Sequence, residues 1–239
     1  MGLFDKKYCD FCGEKIGLLG NKKLSDGNMC KNCFALVSPY LVGRRSFSVS
    51  DMKEHLAYRE ENKKTLANFN ATSTYGAETK IHMDEVQGLW IVSSSRNYKN
   101  ENPDVMTTSQ ITGCLVSTDE TRTEIMRSAS DGTRKSYNPP RYDVDYDFYI
   151  TININNPWFS EIKFKVNANR IEEQNSPEFK STEKAANEIK HALSQVQRNT
   201  RREAVIAAKP KTSVICPNCR ATTLPDASGC CEYCGGAVG

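Results

Sequence analysis

The 239-residue chain has no long apolar segment. Its longest uninterrupted apolar runs, at 33–37 and 204–208, are five residues each, whereas a transmembrane helix needs about 20. The opening MGLFDKK has no apolar stretch of the kind that a secretory signal carries, and it lacks the Ser or Thr at the sixth position of a myristoylation motif. We therefore expect a cytoplasmic protein without a transmembrane segment, in which cysteine thiols stay reduced.

The chain also has little net charge. It carries 32 basic and 29 acidic side chains, which leaves a net charge of +3 at pH 7. This balance is too even to indicate nucleic-acid binding from field strength alone. Hydrophobic residues make up 38% and charged residues 26% of the chain, as is typical of a soluble globular protein.

Common catalytic motifs are missing as well. The sequence contains no HExxH, Walker loop, GxGxxG or nucleophile elbow. Its three histidines, His55, His82 and His191, fall on segments with helix or strand patterns. Cys114 lies in the strand-like run ITGCLV, where a cysteine is more often a small buried hydrophobe than a nucleophile. We expect no catalysis, and an enzyme with an unrecognised site is the alternative.

Cysteines are instead concentrated at the two ends of the chain. Nine of the ten lie in the first 33 or the last 24 residues, and eight of these form CxxC pairs. A CxxC turn can hold two sulfurs about 2.3 Å from one ion, and two such turns complete a closed tetrahedral site of four thiolates, which suits zinc. The spacing predicts two zinc ions per chain, one in each group of four. The predicted ligands are Cys9, Cys12, Cys30 and Cys33, and Cys216, Cys219, Cys231 and Cys234.

Disulfides or a redox motif are the alternatives for a CxxC pair. A redox CxxC usually lies near a βαβ pattern, and four pairs matched by distance favour structural zinc instead. Cys230 directly precedes Cys231 and could replace it, as a CxxxC pair with Cys234. The CxxCG form, shared by CDFCG and CEYCG, favours Cys231. Each end module has about thirty residues, too few for a sufficient core, and zinc binding contributes on the order of 10–16 kcal/mol in small zinc peptides.

Between the two ends, the pattern changes from helix to strands and back to helix. SVSDMKEHLAYREENKKTLANF begins with a capping pair, Ser48 and Asp51, and predicts a helix whose charged remainder is solvated. Its apolar face carries Met52, Leu56, Leu66 and Phe69. The runs TKIHMDE, GLWIVSS, SQITGCLVSTDE and TRTEIMRS are strand-like. STEKAANEIKHALSQVQRNTRREAVIAA then predicts an amphipathic helix. Its apolar stripe carries Ala185, Ile189, Leu193 and Val196.

The clearest strand is YDVDYDFYITININN, which is followed by a second alternating run, EIKFKV. Apolar side chains occupy every second position over thirteen residues, which predicts a long half-buried strand. These are Tyr142, Val144, Tyr146, Phe148, Ile150, Ile152 and Ile154. We interpret this ladder as core, with a platform for stacking bases as the alternative. The opposite face carries Asp143, Asp145 and Asp147, which could bind a cation or act in acid–base work, although alternation alone also gives a polar outer face.

This order of elements predicts an α+β fold. We expect a central antiparallel β barrel or sheet, similar in element order to a pleckstrin-homology domain, with a C-terminal helix and a small four-cysteine zinc module on either side. The expected parts are an N-terminal zinc module (1–47), a connecting helix (48–70), a β-rich domain with its C-terminal helix (71–208) and a C-terminal zinc ribbon (209–239).

The N-terminal CDFCGEKIGLLGNKKLSDGNMCKNC resembles an uncharacterised bacterial family that is known only as a domain of unknown function. Members open with a CxxCGxKIG knuckle, a KLxDG turn and a second CxxC. The resemblance covers about the first fifty residues, and SYNPPRYDVDYDFYITININNPWF and GCCEYCGGAV are similar to longer relatives with the same three-part layout. It implies zinc binding by Cys9, Cys12, Cys30 and Cys33, and it implies no activity, substrate or partner.

Three functions are compatible with these patterns. The first is a cytosolic zinc-stabilised interaction or scaffold module whose partner is a protein or, as an alternative, a lipid headgroup. The second is a nucleic-acid-binding zinc ribbon, against which stand the balanced charge and the lack of an aromatic-plus-basic cluster on either knuckle. The third is an enzyme that uses the DVDYD face, which a pocket joining Asp145 to Arg141 or His82 would favour.

Overall fold

A computed structural model describes residues 6–17, 19–130, 132–208, 213–226 and 229–238. The chain forms two compact units, Met1–Gln197 and Arg198–Gly239. No helix in these described ranges is long and apolar enough to cross a membrane.

The first unit begins with two short antiparallel ladders and one turn of helix. Its elements are β1 (Lys7–Tyr8), β2 (Lys15–Ile16), β3 (Lys22–Lys23), β4 (Asn28–Met29) and α1 (Lys31–Phe34). β1 pairs with β2, and β3 pairs with β4. The ladders are too short to enclose a core alone, and Leu24 and Met29 are buried against Val37, Leu41 and Met52 from the segments that follow.

The next element is the helix α2 (Val49–Asn68), and it begins where the sequence predicts. Ser48 Oγ accepts a hydrogen bond from the Asp51 N–H at 3.1 Å, and the Asp51 carboxylate accepts one from the Ser48 N–H at 2.7 Å. This reciprocal capping box satisfies two of the N–H groups that a helix N-terminus leaves without partners. The predicted cap is therefore confirmed.

The buried face of α2 differs from the prediction. The predicted apolar face is interrupted, and polar residues fill the gaps at spacings of three and four. The buried residues are Met52, His55, Arg59, Asn62 and Leu66. The expectation of a solvated charged remainder is wrong for Arg59, because this guanidinium has buried partners elsewhere in the chain.

Seven strands follow in two antiparallel sheets. The first sheet is a meander of β5 (Ser73–Gly76), β6 (Lys80–Asp84), β7 (Leu89–Ser93) and β8 (Met106–Thr107). The second has the order β13–β12–β9 and consists of β9 (Ile111–Glu124), β12 (Tyr142–Ile154) and β13 (Glu161–Lys165). Between β9 and β12, the strands β10 (Met126–Ser128) and β11 (Arg134–Ser136) form a separate hairpin.

The sheet alternative of the predicted fold is the one that forms. Neither sheet closes into a barrel in the described part of the chain, because β5 pairs only with β6 and β9 pairs only with β12. The two sheets instead contribute to one hydrophobic core, which α3 (Pro177–Ala208) also lines. This core contains Trp90 from the first sheet, Ile150 and Ile152 from the second, and Ile189 and Leu193 from α3.

The alternation predicted for β12 is present over most of the strand. From Tyr146 to Ile154, every second side chain is buried in the core. Tyr142 is exposed, and Val144 is half-buried where it packs against the core. The more exposed end of the β9–β12 hairpin is called the arm here, and it comprises residues 118–124 of β9, residues 142–145 of β12, and β10 and β11.

Among its described residues, the second unit contains one further ladder, β14 (Val214–Ile215) with β15 (Thr222–Thr223). An isolated bridge pairs Cys230 with Ala237.

Candidate metal centres

The N-terminal site is assembled from a tight turn and a helix N-terminus. The first pair lies on a turn that closes with a hydrogen bond from the Gly13 N–H to the Cys9 carbonyl at 2.9 Å. Gly13 adopts φ 73°, a left-handed conformation that costs glycine little. In the second pair, Cys30 is the N-cap of α1, and its sulfur accepts a hydrogen bond from the Cys33 N–H at 3.4 Å. N–H groups pointing at sulfur favour the thiolate form that binds metal.

The four sulfurs of this group have the spacing of a tetrahedral ligand set. Cys12 Sγ lies 3.7 Å from Cys30 Sγ. All four ligand atoms of Cys9, Cys12, Cys30 and Cys33 lie within 4.8 Å of one another. A tetrahedron with metal–sulfur bonds of about 2.3 Å has sulfur–sulfur edges of roughly 3.8 Å. These cysteines are free thiols rather than disulfides, and the group could hold one metal ion.

The C-terminal site has the same arrangement. Cys216 Sγ lies 3.6 Å from Cys234 Sγ, and Cys219 Sγ lies 3.7 Å from Cys231 Sγ. All four ligand atoms lie within 4.8 Å of one another. The Asn218 side chain also donates to Cys234 Sγ at 3.7 Å. This second group could therefore hold a second ion, and both groups are consistent with zinc.

Both knuckles of the C-terminal site repeat the turn of the first N-terminal pair. The Gly235 N–H donates to the Cys231 carbonyl at 2.9 Å, and the Arg220 N–H donates to the Cys216 carbonyl at 2.8 Å. Gly235 has φ 70°, and Arg220 has φ 62° although it is not glycine. The missing glycine of CPNCR is therefore replaced by an arginine that accepts the left-handed conformation, which is uncommon for a residue with a side chain.

Cys230 is not part of the metal group. The structure places Cys231 with the other three sulfurs, where it is buried. The backbone of Cys230 instead forms two hydrogen bonds with Asp226. The Cys230 N–H donates to the Asp226 carboxylate at 2.8 Å, and the Asp226 N–H donates to the Cys230 carbonyl at 3.0 Å. Adjacent residues of an extended segment point in opposite directions, so one of the two cysteines faces the site.

Two thiols of the N-terminal group, Cys9 and Cys33, have pKa values shifted in opposite directions. Burial opposes ionisation of Cys9, but hydrogen bonds from the backbone N–H groups of Cys12 and Cys30 lower the pKa of this thiol to about 6. Burial, followed by the neighbouring thiol of Cys30, raises the pKa of Cys33 well above its usual range. Like charges at this separation disfavour each other's ionisation, and a divalent cation removes that conflict.

The C-terminal group shows the same division. Burial opposes ionisation of Cys231, but the backbone N–H groups of Tyr233 and Cys234 lower the pKa of this thiol to about 6. The Ala221 N–H favours the thiolate of Cys219, yet the neighbouring thiols, Cys234 first, raise the pKa of Cys219 to about 12. In each group, therefore, at least one thiol has a lowered pKa and a neighbouring thiol has a raised one, and a positive ion favours the thiolate form of both.

Beside the second cysteine pair of the N-terminal group, Phe34 lies in a cluster with basic side chains, whereas the sequence predicts no aromatic-plus-basic cluster there. Lys22 Nζ lies 5.5 Å and the Arg44 guanidinium carbon 5.7 Å from the centre of the Phe34 ring. The signal that could have indicated it is a local excess of basic residues, because residues 6–47 contain only three acidic side chains, Asp10, Glu14 and Asp26. A divalent ion with four thiolates has a net charge of −2, so nearby cations also offset the charge of the site.

The carboxylates of β12 form ion pairs with basic side chains. Arg170 contacts Asp143 at 2.8 Å and Asp145 at 3.6 Å, and Lys165 contacts Asp147. Neither residue proposed to join Asp145 in a pocket contacts it. The Arg141 guanidinium lies 4.7 Å from the Tyr137 ring centre, and His82 Nδ1 contacts Thr74 Oγ1 at 3.0 Å.

The other candidate residues from the sequence lie apart from both cysteine groups. Cys114 is half-buried on β9, and burial raises the pKa of its thiol to about 11, so it is protonated at neutral pH. His191 lies on α3 and contacts Gln195 at 3.3 Å. His55 is fully buried on α2, where its Nε2 accepts a hydrogen bond from the Ser38 N–H at 3.1 Å.

Residues 7–55 match the family model of a domain of unknown function, DUF4428. The match includes Cys9, Cys12, Cys30 and Cys33 and ends within α2. The predicted resemblance of this segment to a domain of unknown function is therefore confirmed. No curated protein and no solved structure matches the chain.

Proposed function

We propose that the protein is a zinc-stabilised protein-interaction module, in which two structural zinc ions fold the knuckles that contact a partner. Zinc is the ion that four thiolates in a tetrahedron suit best, and four protein ligands leave no open coordination position for a substrate. The sulfur spacing in both groups supports two such sites per chain.

One comparison between the two knuckles carries the proposal. Phe11 and Tyr233 occupy the same position, directly before the second cysteine of a CxxCG turn. Phe11 is partly buried against the hydrophobic clusters of the first unit, whereas Tyr233 is 71% exposed. The residue before the first cysteine of CPNC, Ile215, is also 71% exposed. Exposed apolar side chains that a metal site holds in place are typical of an interaction surface.

The proposed partner is a protein in the cytoplasm. Aromatic side chains such as Tyr233 are enriched in protein interfaces because they bury a large apolar area and keep a polar tip. The order of four strands, three strands and a terminal helix in the first unit supports the pleckstrin-homology-like comparison, and folds of this kind host many binding functions.

The proposal is tested by affinity capture from native cells with the zinc-loaded full chain as bait. Tyr233→Ser and Ile215→Ser should each lose a partner that the wild type captures, and chelation of zinc should have the same effect. Val86→Ser is the matched control, because Val86 is exposed and lies in a turn of the first sheet, outside both cysteine groups. Equal recovery of the same proteins by wild type, Tyr233→Ser and Ile215→Ser would contradict the proposal.

A nucleic-acid interface beside the second cysteine pair of the N-terminal group is a second candidate. The observation that favours it is the pair of cations, Lys22 and Arg44, near the Phe34 ring, because basic and aromatic groups together bind phosphates and bases. Fluorescence anisotropy with a mixed-sequence oligonucleotide at two salt concentrations is the test. Lys22→Gln should lower the salt dependence of affinity by about one phosphate contact, and Lys53→Gln should not. A lack of binding at low salt would exclude it.

A further inference from the structure

One edge of the second sheet is open along most of a long strand. β9 has fourteen residues and pairs with β12 alone in the described part of the chain. The carbonyl of Ile111, at its beginning, accepts a hydrogen bond from the Gln197 side chain at 3.1 Å. Residues 118–123 are exposed on both faces. An edge strand presents unpaired N–H and C=O groups, which form a template for another strand.

Proline, lysine and a bulge, three features that can protect an edge strand from pairing, are missing over this stretch. Residues 114–124 contain neither proline nor lysine, and the irregularity in pairing with β12 lies at its other end, between Asn153 and Ile154. The stretch does contain charges, and their order determines which strand can pair with it. Asp119, Glu120, Arg122 and Glu124 are the charged side chains.

We propose that this edge pairs antiparallel with the same strand of a second copy of the chain, with Thr121 on the two-fold axis. In a symmetric pair, residue i of one copy faces residue j of the other, and j faces i. Only every second residue of a strand points its N–H and C=O towards a given edge. The two-fold axis must therefore pass through a residue that faces its own copy, and each candidate centre gives a different set of opposed charges.

Among uncharged centres in residues 114–124, only Thr121 and Thr123 place opposite charges face to face, which favours pairing. Centres on Asp119, Glu120 or Arg122 would place a charged residue opposite its own copy, which is unfavourable. A centre on Thr123 would need residues beyond the end of β9 at Glu124. With Thr121 at the centre, threonine faces threonine, and Glu120 faces Arg122 of the second copy on both sides of the axis.

The remaining pairs in this register are also compatible. Asp119 faces Thr123, and Thr118 faces Glu124, so pairing from 118 to 124 lies within β9. Within one chain, Arg122 already contacts Glu120. In the dimer, each Glu120 therefore lies between two arginines, Arg122 of its own strand and Arg122 of the second copy. Opposite charges on facing positions favour the pairing.

The register predicts an unusual response to charge reversal. In its own homodimer, Glu120→Arg places the introduced arginine opposite Arg122 of the second copy. Arg122→Glu likewise places the introduced glutamate opposite Glu120, so each variant alone should dissociate. A mixture of the two variants restores both pairs of opposite charge, because each copy then supplies one sign. The side chains are exposed on the arm, so neither change should disturb the core or the cysteine groups.

Sedimentation velocity of the zinc-loaded full chain over a concentration series tests the proposal. The wild type should form a reversible dimer, and each charge reversal should weaken it by at least about tenfold, because two facing pairs change from opposite to like charge. An equimolar mixture of the two variants should recover dimer to within about threefold of the wild-type affinity. Lys53→Glu, which reverses an exposed charge on α2, controls for the change in net charge and should leave the dimer intact.

The outcomes separate the proposal from its alternatives. A monomeric wild type across the concentration series would overturn it, and so would a mixture that associates no better than either variant alone. A dimer that both single variants retain would show a different interface and would also overturn it. The knuckle residues Tyr233 and Ile215 are unchanged in all these proteins, so this result is independent of the proposed partner binding by the knuckles.

Discussion

Replacing Asp104 with alanine should destabilise the first unit strongly, because it would leave the buried charge of Arg59 without its partner. Arg59 is 5% and Asp104 1% exposed, and Arg59 Nη1 donates to Asp104 Oδ1 at 2.6 Å. Ser38 Oγ donates to the other carboxylate oxygen at 2.8 Å. These contacts therefore link α2 to Ser38, in the segment after α1, and to Asp104, in the loop before β8.

The expected loss of unfolding free energy is about 3–5 kcal/mol, which is typical when one member of a buried ion pair is removed. Arg59 keeps two backbone acceptors after the change, the carbonyls of Leu36 at 3.3 Å and of Asn102. These acceptors solvate the guanidinium in part, so we expect the lower half of that range. Asp104→Asn, which keeps the shape and loses the charge, should cost less.

Urea unfolding followed by circular dichroism measures the difference. The control is Arg59→Met combined with Asp104→Ala, which removes both charges and should recover part of the loss. If Asp104→Ala and the double variant lost the same free energy as each other, or if Asp104→Ala lost less than about 1 kcal/mol, the charge of Arg59 would not be buried in the way described.

Three further predictions concern the metal sites, the cores and pH. Elemental analysis should give two zinc ions per chain. Cys231→Ser should reduce the zinc content to one ion, whereas Cys230→Ser should leave it at two. Loss of an ion from Cys230→Ser but not from Cys231→Ser would show that the CxxxC pair, Cys230 and Cys234, supplies the ligands. In a Trp158→Phe protein, removal of zinc by a chelator should leave the fluorescence emission of Trp90, in the β core, unchanged. In a Trp90→Phe protein, it should shift the emission of Trp158, because Trp158 packs against the hydrophobic cluster of the N-terminal module. A shift of Trp90 emission would show that the β core does not fold without zinc. Burial, together with the charge of Arg59, lowers the pKa of His55 to about 4. As pH falls, the histidine of the unfolded chain therefore binds a proton before the histidine of the folded chain does. The contribution of His55 to the free energy of unfolding should be present above pH 6.5 and should decrease by up to about 3 kcal/mol towards pH 4. His55→Gln should flatten that slope, and an unchanged slope would assign it to other groups.

The local features of this protein could be predicted from sequence because their causes are local. The CxxC turns depend on two sulfurs three residues apart and on a glycine that accepts a left-handed conformation, and the structure brings the same eight cysteines into two groups. The capping box at Ser48 and the alternation of β12 are likewise set by neighbouring residues. The spacing of the residues that form these features can be read in the sequence without knowing which other segments pack against them.

Only the tertiary structure decided the features that depend on distant partners. Arg59 is buried because Asp104 lies 45 residues away in the chain and beside it in space, and a charge on a helix pattern carries no sign of such a partner. Phe11 and Tyr233 stand at the same place in similar turns, yet one packs against a neighbouring core and the other is exposed. The two sheets leave β9 as an open edge because strand pairing is a non-local choice among many segments of similar pattern. A sequence period shows which face of a strand is apolar, but hydrogen bonding at its edges depends on which other strands lie next to it.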